Sequence, residues 1–344
     1  MTETSVVRPG TRRSVDEETF AQLAERHRGE IHLHCYRMLG SIQDAEDAVQ
    51  ETLLRAWRGL SGFDGRGSFR GWLFRIATNA CLRALAGRRK SRRVLPETQG
   101  PPVEFAPLGA PDTGTVWLDP YPTAEASAIA DLAPGPEARF VLHETIQLAF
   151  VAAIQELPPR QRATLLLRDV LGWSAAETAA VLEASVVSVN SAVQRARQTL
   201  RLRYPSGAPE IPPVPDDRHR QLLERYVKAW DDRDLDGFVA LLREDVVWSM
   251  PPWRQWYAGR APVRAFMAWV WRPDRDRCHR LVRTSANGQP AFGHYRSEGD
   301  GSDWQAFAIQ LLDLQEDEIV SVTNFVDARL FGAFGLPSVL PPNV

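Results

Sequence analysis

Aromatic and basic side chains alternate along residues 69–83, a combination that can bind nucleic acid. Aromatic rings stack on unpaired bases, and arginines bind phosphates whatever the base sequence. A glycine-rich loop, residues 62–67, precedes this segment, and further cations extend to Arg93. A loop of this kind beside an aromatic and basic helix suits single-stranded or melting DNA. Core aromatics followed by the cations favoured at a helix C-terminus would give the same pattern, so that alternative stays open.

A second group of polar side chains falls within residues 188–197, where a single helix would carry them. Asn and Gln pair with adenine edges, Arg with guanine, and Ser with phosphates or bases. Residues 160–204 contain seven arginines against three acids, and two short helices there have the spacing of a helix-turn-helix. A helical hairpin without a DNA function is the alternative. The candidate base-reading residues are Ser188, Asn190, Ser191, Gln194, Arg195 and Arg197.

Residues 44–58 predict an amphipathic helix with an acidic outer side. Asp47, Gln50 and Glu51 fall largely outside its apolar face, which on periodicity alone indicates a solvated surface helix. The apolar face is predicted from spacings of three to four residues and contains Ala45, Val49, Leu53, Ala56 and Trp57.

Seven of the eleven tryptophans lie after residue 216. They could line a pocket for a small apolar ligand, or they could simply fill a core. His294, Tyr257 and Asp303 are candidates to point into such a cavity, but their spacing establishes no acid–base pair. We therefore predict no catalytic residues and no enzymatic activity. The seven tryptophans are Trp230, Trp248, Trp253, Trp256, Trp269, Trp271 and Trp304.

The amino-acid composition indicates what class of protein contains these residues. The 344 residues suffice for two or three domains, and 44% hydrophobic and 24% charged residues are ordinary for a soluble globular protein. No apolar run approaches the ~20 residues that cross a bilayer, and the N-terminal residues lack the apolar stretch of a signal peptide. Cys35, Cys81 and Cys278 are odd in number without CxxC spacing, which argues against disulfides and zinc. We expect a cytoplasmic protein with no metal and no cofactor.

Proline and charge divide the chain. Residues 15–93 are rich in helix formers, whereas residues 94–136 contain nine prolines, six acids and no Lys or Arg. The latter predict an irregular acidic linker. Residues 137–204 are helical again, and residues 205–216 form a short Pro-rich linker. In residues 217–338 helices precede alternating strands, which predicts an α+β domain with a curved sheet around its helices.

Local signals mark several element ends in the second half of the chain. Ser174 and Glu177 have the spacing of a capping box, and Asp234 suits an N-cap. Asn287-Gly288 lies between two alternating segments and predicts a two-residue hairpin turn.

The N-terminal pattern resembles region 2 of the bacterial sigma-70 family, in its extracytoplasmic-function (ECF) group. The resemblance rests on DAEDAVQETLLRAW, residues 44–57, followed by FDGRGSFRGWLFRIATNACL, residues 63–82. It implies that Asp47, Gln50 and Glu51 contact the β′ clamp helices of RNA polymerase. It also implies that a loop and helix recognise and open the promoter −10 element, which would place these residues on DNA: Phe63, Arg66, Trp72, Asn79 and Arg83.

Two further segments extend the resemblance over the whole chain. Residues 157–182, LPPRQRATLLLRDVLGWSAAETAAVL, resemble sigma region 4, which binds the −35 element and the polymerase β flap. The turn glycine of that family is replaced by Ala184-Ser185, which leaves the promoter sequence open. AWDDRDLDGFVALL, residues 229–242, and FVDARLFGAFGLP, residues 325–337, resemble the SnoaL-like domains of the NTF2-like fold, which some sigma factors carry. The implied architecture is multidomain: a region 2 helical bundle, a region 4 helix-turn-helix and an α+β NTF2-like cone.

The resemblance implies an alternative sigma factor that binds core RNA polymerase, double-stranded promoter DNA and the melted −10 strand. The acidic linker would thread the polymerase cleft as a nucleic-acid mimic, or serve as a plain spacer. We expect the SnoaL-like domain to dock on the sigma domains, to regulate them, and to have room for a small apolar ligand. The alternatives are a one-component helix-turn-helix regulator with a ligand-binding domain, and a ligand-converting enzyme tethered to DNA.

Overall fold

The structure, a computed structural model, describes residues 17–63, 68–87, 92–131, 141, 144–203, 217–272, 277–299 and 301–342. The helices are α1 (Glu17–Leu39), α2 (Ile42–Gly59), α3 (Phe69–Ala86), α4 (Thr123–Asp131), α5 (Leu148–Gln155), α6 (Pro159–Leu165), α7 (Ala175–Leu182), α8 (Val186–Arg203), α9 (Asp217–Asp231), α10 (Leu235–Val239) and α11 (Arg260–Val270). The strands are β1 (Leu242–Ser249), β2 (Trp256–Ala258), β3 (Cys278–Ala286), β4 (Gln289–Ser297), β5 (Trp304–Gln315), β6 (Glu318–Phe325) and β7 (Val339–Leu340).

Helices α1, α2 and α3 form a bundle whose corners are set by caps. Gly40, at φ +69°, separates α1 from α2, and Ser41 caps α2 by accepting a hydrogen bond from the Asp44 amide. The inner face of α2 differs from the prediction, because Trp57 is 41% exposed, with its ring centroid 5.3 Å from that of Phe20. The buried residues of α2 are Ala45, Ala48, Val49, Thr52 and Ala56.

Helices α6, α7 and α8 form the predicted helix-turn-helix. Helix α6 continues into a single π turn, Leu166–Val170, before Gly172 reverses the chain at φ +70°. The capping box is confirmed: the Glu177 amide donates to Ser174 Oγ, and Glu177 accepts from the Ser174 amide at 2.8 Å. The turn into α8 takes its left-handed residue from Glu183, at φ +49°, without a glycine.

The segment between these two helical units is more ordered than its composition indicates. The prediction of an irregular linker is wrong for Thr123–Asp131, which form α4, and for Pro96–Thr98, which form a 3-10 turn. Val94 bridges to Trp117, so the segment closes into a loop. Tyr121 is fully buried between α1 and the C-terminal domain, and this tertiary burial explains the order that proline content alone could not indicate.

The C-terminal residues form an α+β domain around one mixed sheet. Its strand order is β2-β1-β6-β5-β4-β3, with β7 on β5; β1 and β6 are parallel and the other pairs are antiparallel. Asp234 caps α10 as predicted, and Asn287 (φ +53°) and Gly288 (φ +74°) form the predicted hairpin turn between β3 and β4. A core rich in Trp, Tyr and Phe fills the space between the sheet and helices α9 to α11.

Candidate polymerase and promoter surfaces

The acidic side of α2 is open to solvent. Asp47, Gln50 and Glu51 are all exposed, and Leu54 joins them on the same face at 49% exposure. We call these four residues the α2 acidic face. Asp47 accepts a hydrogen bond from Gln43 Nε2 at 3.2 Å, so local contacts leave its outer side free to solvent. An exposed leucine among carboxylates suits a partner with basic and apolar side chains. The sequence pattern did not indicate Leu54, because it lies outside the predicted apolar face of α2.

The α2 acidic face adjoins the candidate −10 helix. Arg83 Nη2 lies 3.5 Å from Glu51 Oε1, and Arg55 binds the same oxygen at 2.6 Å. Arg83 is exposed, whereas Asn79 is half-buried. The residues predicted for polymerase and for −10 DNA therefore meet at the α2–α3 edge.

The candidate −10 aromatics pack on one another. The Phe63 and Trp72 rings lie 5.0 Å apart, and each also contacts Phe69. Both side chains are half-buried. Each ring therefore packs against its neighbours and still exposes surface on which a base can stack. Arg66 lies outside the described residues. The neighbouring cations Arg88, Arg89 and Lys90 also lie outside them.

The recognition helix α8 presents its predicted residues outward. Val189 (2% exposed), Val193 (5%) and Ala196 (0%) form its inner face, which fixes the direction of the others. Val187 is 76% exposed on the outer side and was not predicted; a methyl-bearing side chain there suits thymine methyl groups. Of the predicted residues, Ser188, Asn190, Gln194 and Arg195 are exposed on the outer side, and Ser191 is half-buried.

Arg197 is the exception among the predicted base-reading residues. Its Nε and Nη2 donate to the two carboxylate oxygens of Asp169 at 2.9 and 2.8 Å. This bidentate pair raises the pKa of the Arg197 guanidinium and ties α8 to the π turn. The Arg197 guanidinium is therefore already paired within the protein, although its side chain is exposed.

The two helical units pack directly on each other. Gln155 Nε2 donates to the main-chain carbonyl of Arg37 at 3.0 Å, and Arg37 Nη2 donates to Thr145 Oγ1 at 2.6 Å. The Trp173 ring meets the Phe74 ring edge-to-face at 6.1 Å. All of these groups except Trp173 are buried, so the interface is a continuous core.

Asn287 joins three parts of the chain at one point. It is 0% exposed; its Nδ2 donates to the carbonyl of Ile146 at 2.7 Å and lies 3.3 Å from Tyr36 Oη. Its Oδ1 accepts from the Tyr121 amide at 2.9 Å, and its own amide donates to the Tyr121 carbonyl. Gly288 extends the contact through Thr123 Oγ1. The β3–β4 turn is thus inserted between the first bundle, the linker and the second helical unit.

The C-terminal domain encloses a cavity of about 200 Å³. Of the polar candidates, His294 lines it, whereas Asp303 is exposed and Tyr257 donates to the linker carbonyl of Ala106 at 3.1 Å. Four of the seven tryptophans also line the cavity: Trp230, Trp248, Trp253 and Trp269. No cluster of metal-ligating side chains occurs in the described part of the chain, and no helix there is long and apolar enough to span a bilayer.

Comparison with known proteins divides the chain in the same way. The profile of sigma-70 region 2 matches residues 23–91, that of sigma-70 region 4 matches residues 147–200, and that of the SnoaL-like domain matches residues 223–322.

Similarity to individual proteins covers nearly the whole chain. The ECF RNA polymerase sigma factor SigG of Mycobacterium tuberculosis is 42% identical over 323 residues, 93% of this chain and 85% of SigG. SigW of Bacillus subtilis is 30% identical over 189 residues, 54% of this chain and 89% of SigW. The crystal structure of the M. tuberculosis ECF sigma factor SigJ shares the fold at a TM-score of 0.57 and 20% identity, covering 93% of this chain and all of that one. With its two helical units, its recognition helix and its appended α+β domain, this chain belongs to the ECF RNA polymerase sigma factors that carry a C-terminal SnoaL-like domain.

Proposed function

We propose that this sigma factor binds core RNA polymerase through the α2 acidic face. The residues that support this proposal are Asp47, Gln50 and Glu51, which are exposed side by side with Leu54. The β′ clamp helices are the proposed partner there. A DNA-binding regulator that acts without polymerase has no need of an acidic protein-binding face beside its basic helices, which disfavours that alternative.

Two separate surfaces of the protein are assigned to the two promoter elements. Helix α8 reads the −35 duplex, with Gln194 and Arg195 at its exposed centre, while region 4 also contacts the β flap. Phe63, Trp72, Asn79 and Arg83 face the −10 element as it melts, and Arg66 belongs to the same group. We place this activity in the cytoplasm, where the polymerase acts, and assign the appended domain a binding role without catalytic turnover.

The packed arrangement of the two helical units is incompatible with simultaneous promoter contacts. Elements centred about 25 base pairs apart are separated by ~85 Å at ~3.4 Å per base pair. Each helical unit is only ~30 Å across, and the two are in direct contact through Trp173 and Phe74. The units must therefore separate before both elements can be bound.

The appended domain holds the units together, and Asn287 is the observation that carries this proposal. Its side chain bonds the linker and the second helical unit and approaches Tyr36 of the first bundle, with no exposed surface. Each of these hydrogen bonds contributes ~1 kcal/mol to the docked arrangement. The domain thus stabilises the closed arrangement against the polymerase-competent one.

Transcription in vitro with core polymerase tests both parts of the proposal. Asn287→Gly keeps the left-handed turn while removing the side-chain bonds, and we expect at least a severalfold rise in promoter-specific transcription at equal folded concentration. Glu316→Gly is the matched control, because Glu316 also has positive φ, at +53°, and its side chain is exposed in a hairpin turn. Equal transcription from both variants would contradict the regulatory role, and no promoter-specific transcription from any protein would contradict sigma function.

A further inference from the structure

Three aromatic side chains of the SnoaL-like domain bind the linker by its main chain. Each donates one hydrogen bond to a different linker carbonyl, at 2.8, 2.9 and 3.1 Å. An indole nitrogen can only donate, so these side chains suit a chain that presents unpaired carbonyls. The pairs are Trp253 Nε1 with Gly109, Trp256 Nε1 with Gly100, and Tyr257 Oη with Ala106.

The residues between these aromatics bind the same part of the linker. Gln255 accepts from the Gly109 amide at 3.4 Å, and Arg254 forms an ion pair with Asp112. Each of the five consecutive residues 253–257 therefore bonds the linker, through its main chain or through its one paired carboxylate.

The linker also runs beside the edge of the sheet. Strand β2, which contains Trp256, ends the strand order of the described sheet. The Val103 amide donates to the Trp256 carbonyl at 2.9 Å, and the Asp112 amide donates to the Pro252 carbonyl at 2.8 Å. Main-chain bonding at an edge strand is a recurring way for a sheet to bind an extended peptide.

The bound part of the linker has the composition of a proline-rich peptide ligand. Residues 101–111, all within the described part of the chain, include four prolines and form no helix or strand. Proline fixes φ and favours an extended chain whose carbonyls have no internal partner. Val103, Ala106 and Leu108 are half-buried and the other residues of this range are exposed. Val103 and Leu108 pack on the core of the SnoaL-like domain.

We propose that residues 252–257 form a binding site for extended proline-rich peptides, and that the linker is the ligand that occupies this site within the chain. A separate peptide competes for the site when it has apolar side chains spaced as Val103 and Leu108 and a carboxylate in the place of Asp112, which pairs with Arg254. Peptide binding stands independently of the proposed function; only an effect of linker release on transcription rests on it.

Tethering gives the linker an advantage over any free peptide. A short tether holds a ligand at an effective concentration in the mM range, so a free peptide binds the unsubstituted chain weakly. Val103→Gly with Leu108→Gly removes both inward apolar side chains from the tethered copy and leaves residues 252–257 unchanged. We call this full-length double variant the vacated chain, and its site should accept a free peptide.

Fluorescence anisotropy with a labelled peptide of the native sequence 99–113 tests the site. We expect the peptide to bind the vacated chain at least tenfold more tightly than the unsubstituted chain. Glu104→Gly with Ala110→Gly is the matched control, because both residues are exposed on the same linker segment, and it should bind the peptide as the unsubstituted chain does. Equal affinity for all three chains would overturn the proposal.

Two further changes test the chemistry of recognition. A peptide with alanine at its four proline positions should bind the vacated chain severalfold more weakly, because it loses more conformational freedom on binding. Adding Trp253→Phe and Trp256→Phe to the vacated chain should weaken peptide binding about fivefold or more, since Phe keeps a ring but has no N–H donor. Trp304→Phe is the control, because Trp304 packs under Arg280. Undiminished binding of the alanine peptide would overturn the preference for proline, and binding that survives loss of both indole donors would overturn the site.

Amide hydrogen exchange tests the same donors in a chain with the native linker. The Val103 and Asp112 amides both bond to the SnoaL-like domain, so their exchange reports linker docking. Trp253→Phe with Trp256→Phe should speed both exchanges severalfold, and Trp304→Phe should not. Unchanged exchange in the double variant would overturn the site. Peptide binding with unchanged transcription would support the site and count against the proposed regulation alone.

Discussion

Arg162 of the second helical unit donates a hydrogen bond to the main-chain carbonyl of Met38, near the C-terminal end of α1. The same guanidinium donates to the carbonyls of Ile154, Gln155 and Leu157, and burial lowers its pKa to about 10. The buried Arg162 guanidinium thus satisfies main-chain carbonyls at the C-terminal end of α5 and also bonds this end to the first bundle. The contact between the sigma regions therefore involves their buried cores, in addition to the bonds that Asn287 of the appended domain makes.

Replacing Arg162 with Met should lower the free energy of unfolding by ~3 kcal/mol, because several buried carbonyls lose their donor. Chemical unfolding measures the loss, and small-angle scattering of the remaining folded protein should show a larger radius of gyration. Arg201→Met, on the exposed outer end of α8, is the control and should change neither quantity. An unchanged radius in a folded Arg162→Met protein would show that this contact does not hold the two units together.

Reversing the charge of the α2 acidic face should weaken binding to core polymerase. We expect the Asp47→Arg, Glu51→Arg double variant to bind core about tenfold more weakly or worse, since charge-assisted contacts become repulsive. Both residues are exposed, so the fold should persist, as circular dichroism would verify. Glu316→Arg with Asp317→Arg makes the same charge change in an exposed turn of the SnoaL-like domain and should leave core binding intact. Equal co-purification of both double variants with core would remove the α2 acidic face from the interface.

We expect Gln194 and Arg195 on α8 to contact bases, and Arg197 to contribute only to stability. Gln194→Ala or Arg195→Ala should cost ~1–3 kcal/mol at a defined −35 position, measured by binding to a panel of single-base promoter variants. Arg197→Ala should leave base preference unchanged and reduce stability by at most ~1 kcal/mol, because its pair with Asp169 is largely exposed. A base-specific loss in Arg197→Ala, with none in the other two, would reverse the assignment.

Acid should destabilise the first bundle through His34. Burial lowers the pKa of His34 to about 3, with Arg37 and Arg70 adding to the effect, and its Nε2 lies 3.0 Å from Thr78 Oγ1. The folded protein keeps His34 neutral while the unfolded chain takes up a proton below pH ~6.5, so unfolding is favoured as pH falls from there.

His34→Gln should remove the part of the pH dependence that His34 contributes. Between pH 7 and pH 5.5 the unsubstituted protein should lose ~1 kcal/mol more of its unfolding free energy than His34→Gln does. Chemical unfolding at the two pH values measures the difference. His219→Gln on α9 is the control and should behave as the unsubstituted protein. Identical losses in His34→Gln and the unsubstituted protein would show that His34 is not held neutral.

Signals confined to a few neighbouring residues predicted structure well. The Ser174–Glu177 capping box, the Asp234 cap and the Asn287-Gly288 turn each depend on bonds within one turn of chain, and each is present. Region 2, region 4 and the SnoaL-like domain were predicted from resemblance to known families, and the family comparison confirms all three.

The features that the sequence did not predict depend on contacts between residues that are far apart in the chain. Asn287 reads as a turn former, and nothing local indicates its bond to the Tyr121 amide 166 positions away. Trp57 has the spacing of a core residue, yet it is 41% exposed. The linker is proline-rich and was expected to be irregular. Its path depends on Trp253 and Tyr257 of the C-terminal domain, which bond its main chain, and on the burial of its own Tyr121.

The position of Asn287 in the chain sets an order of events during synthesis. Ribosomes add about 5–20 residues per second and domains fold as they emerge, so both helical units are complete several seconds before the β3–β4 turn is made. A nascent chain therefore passes through an interval in which its promoter-reading helices exist without the restraint. Slow translation between Arg203 and Asn287 would lengthen the interval before the Asn287 contacts form.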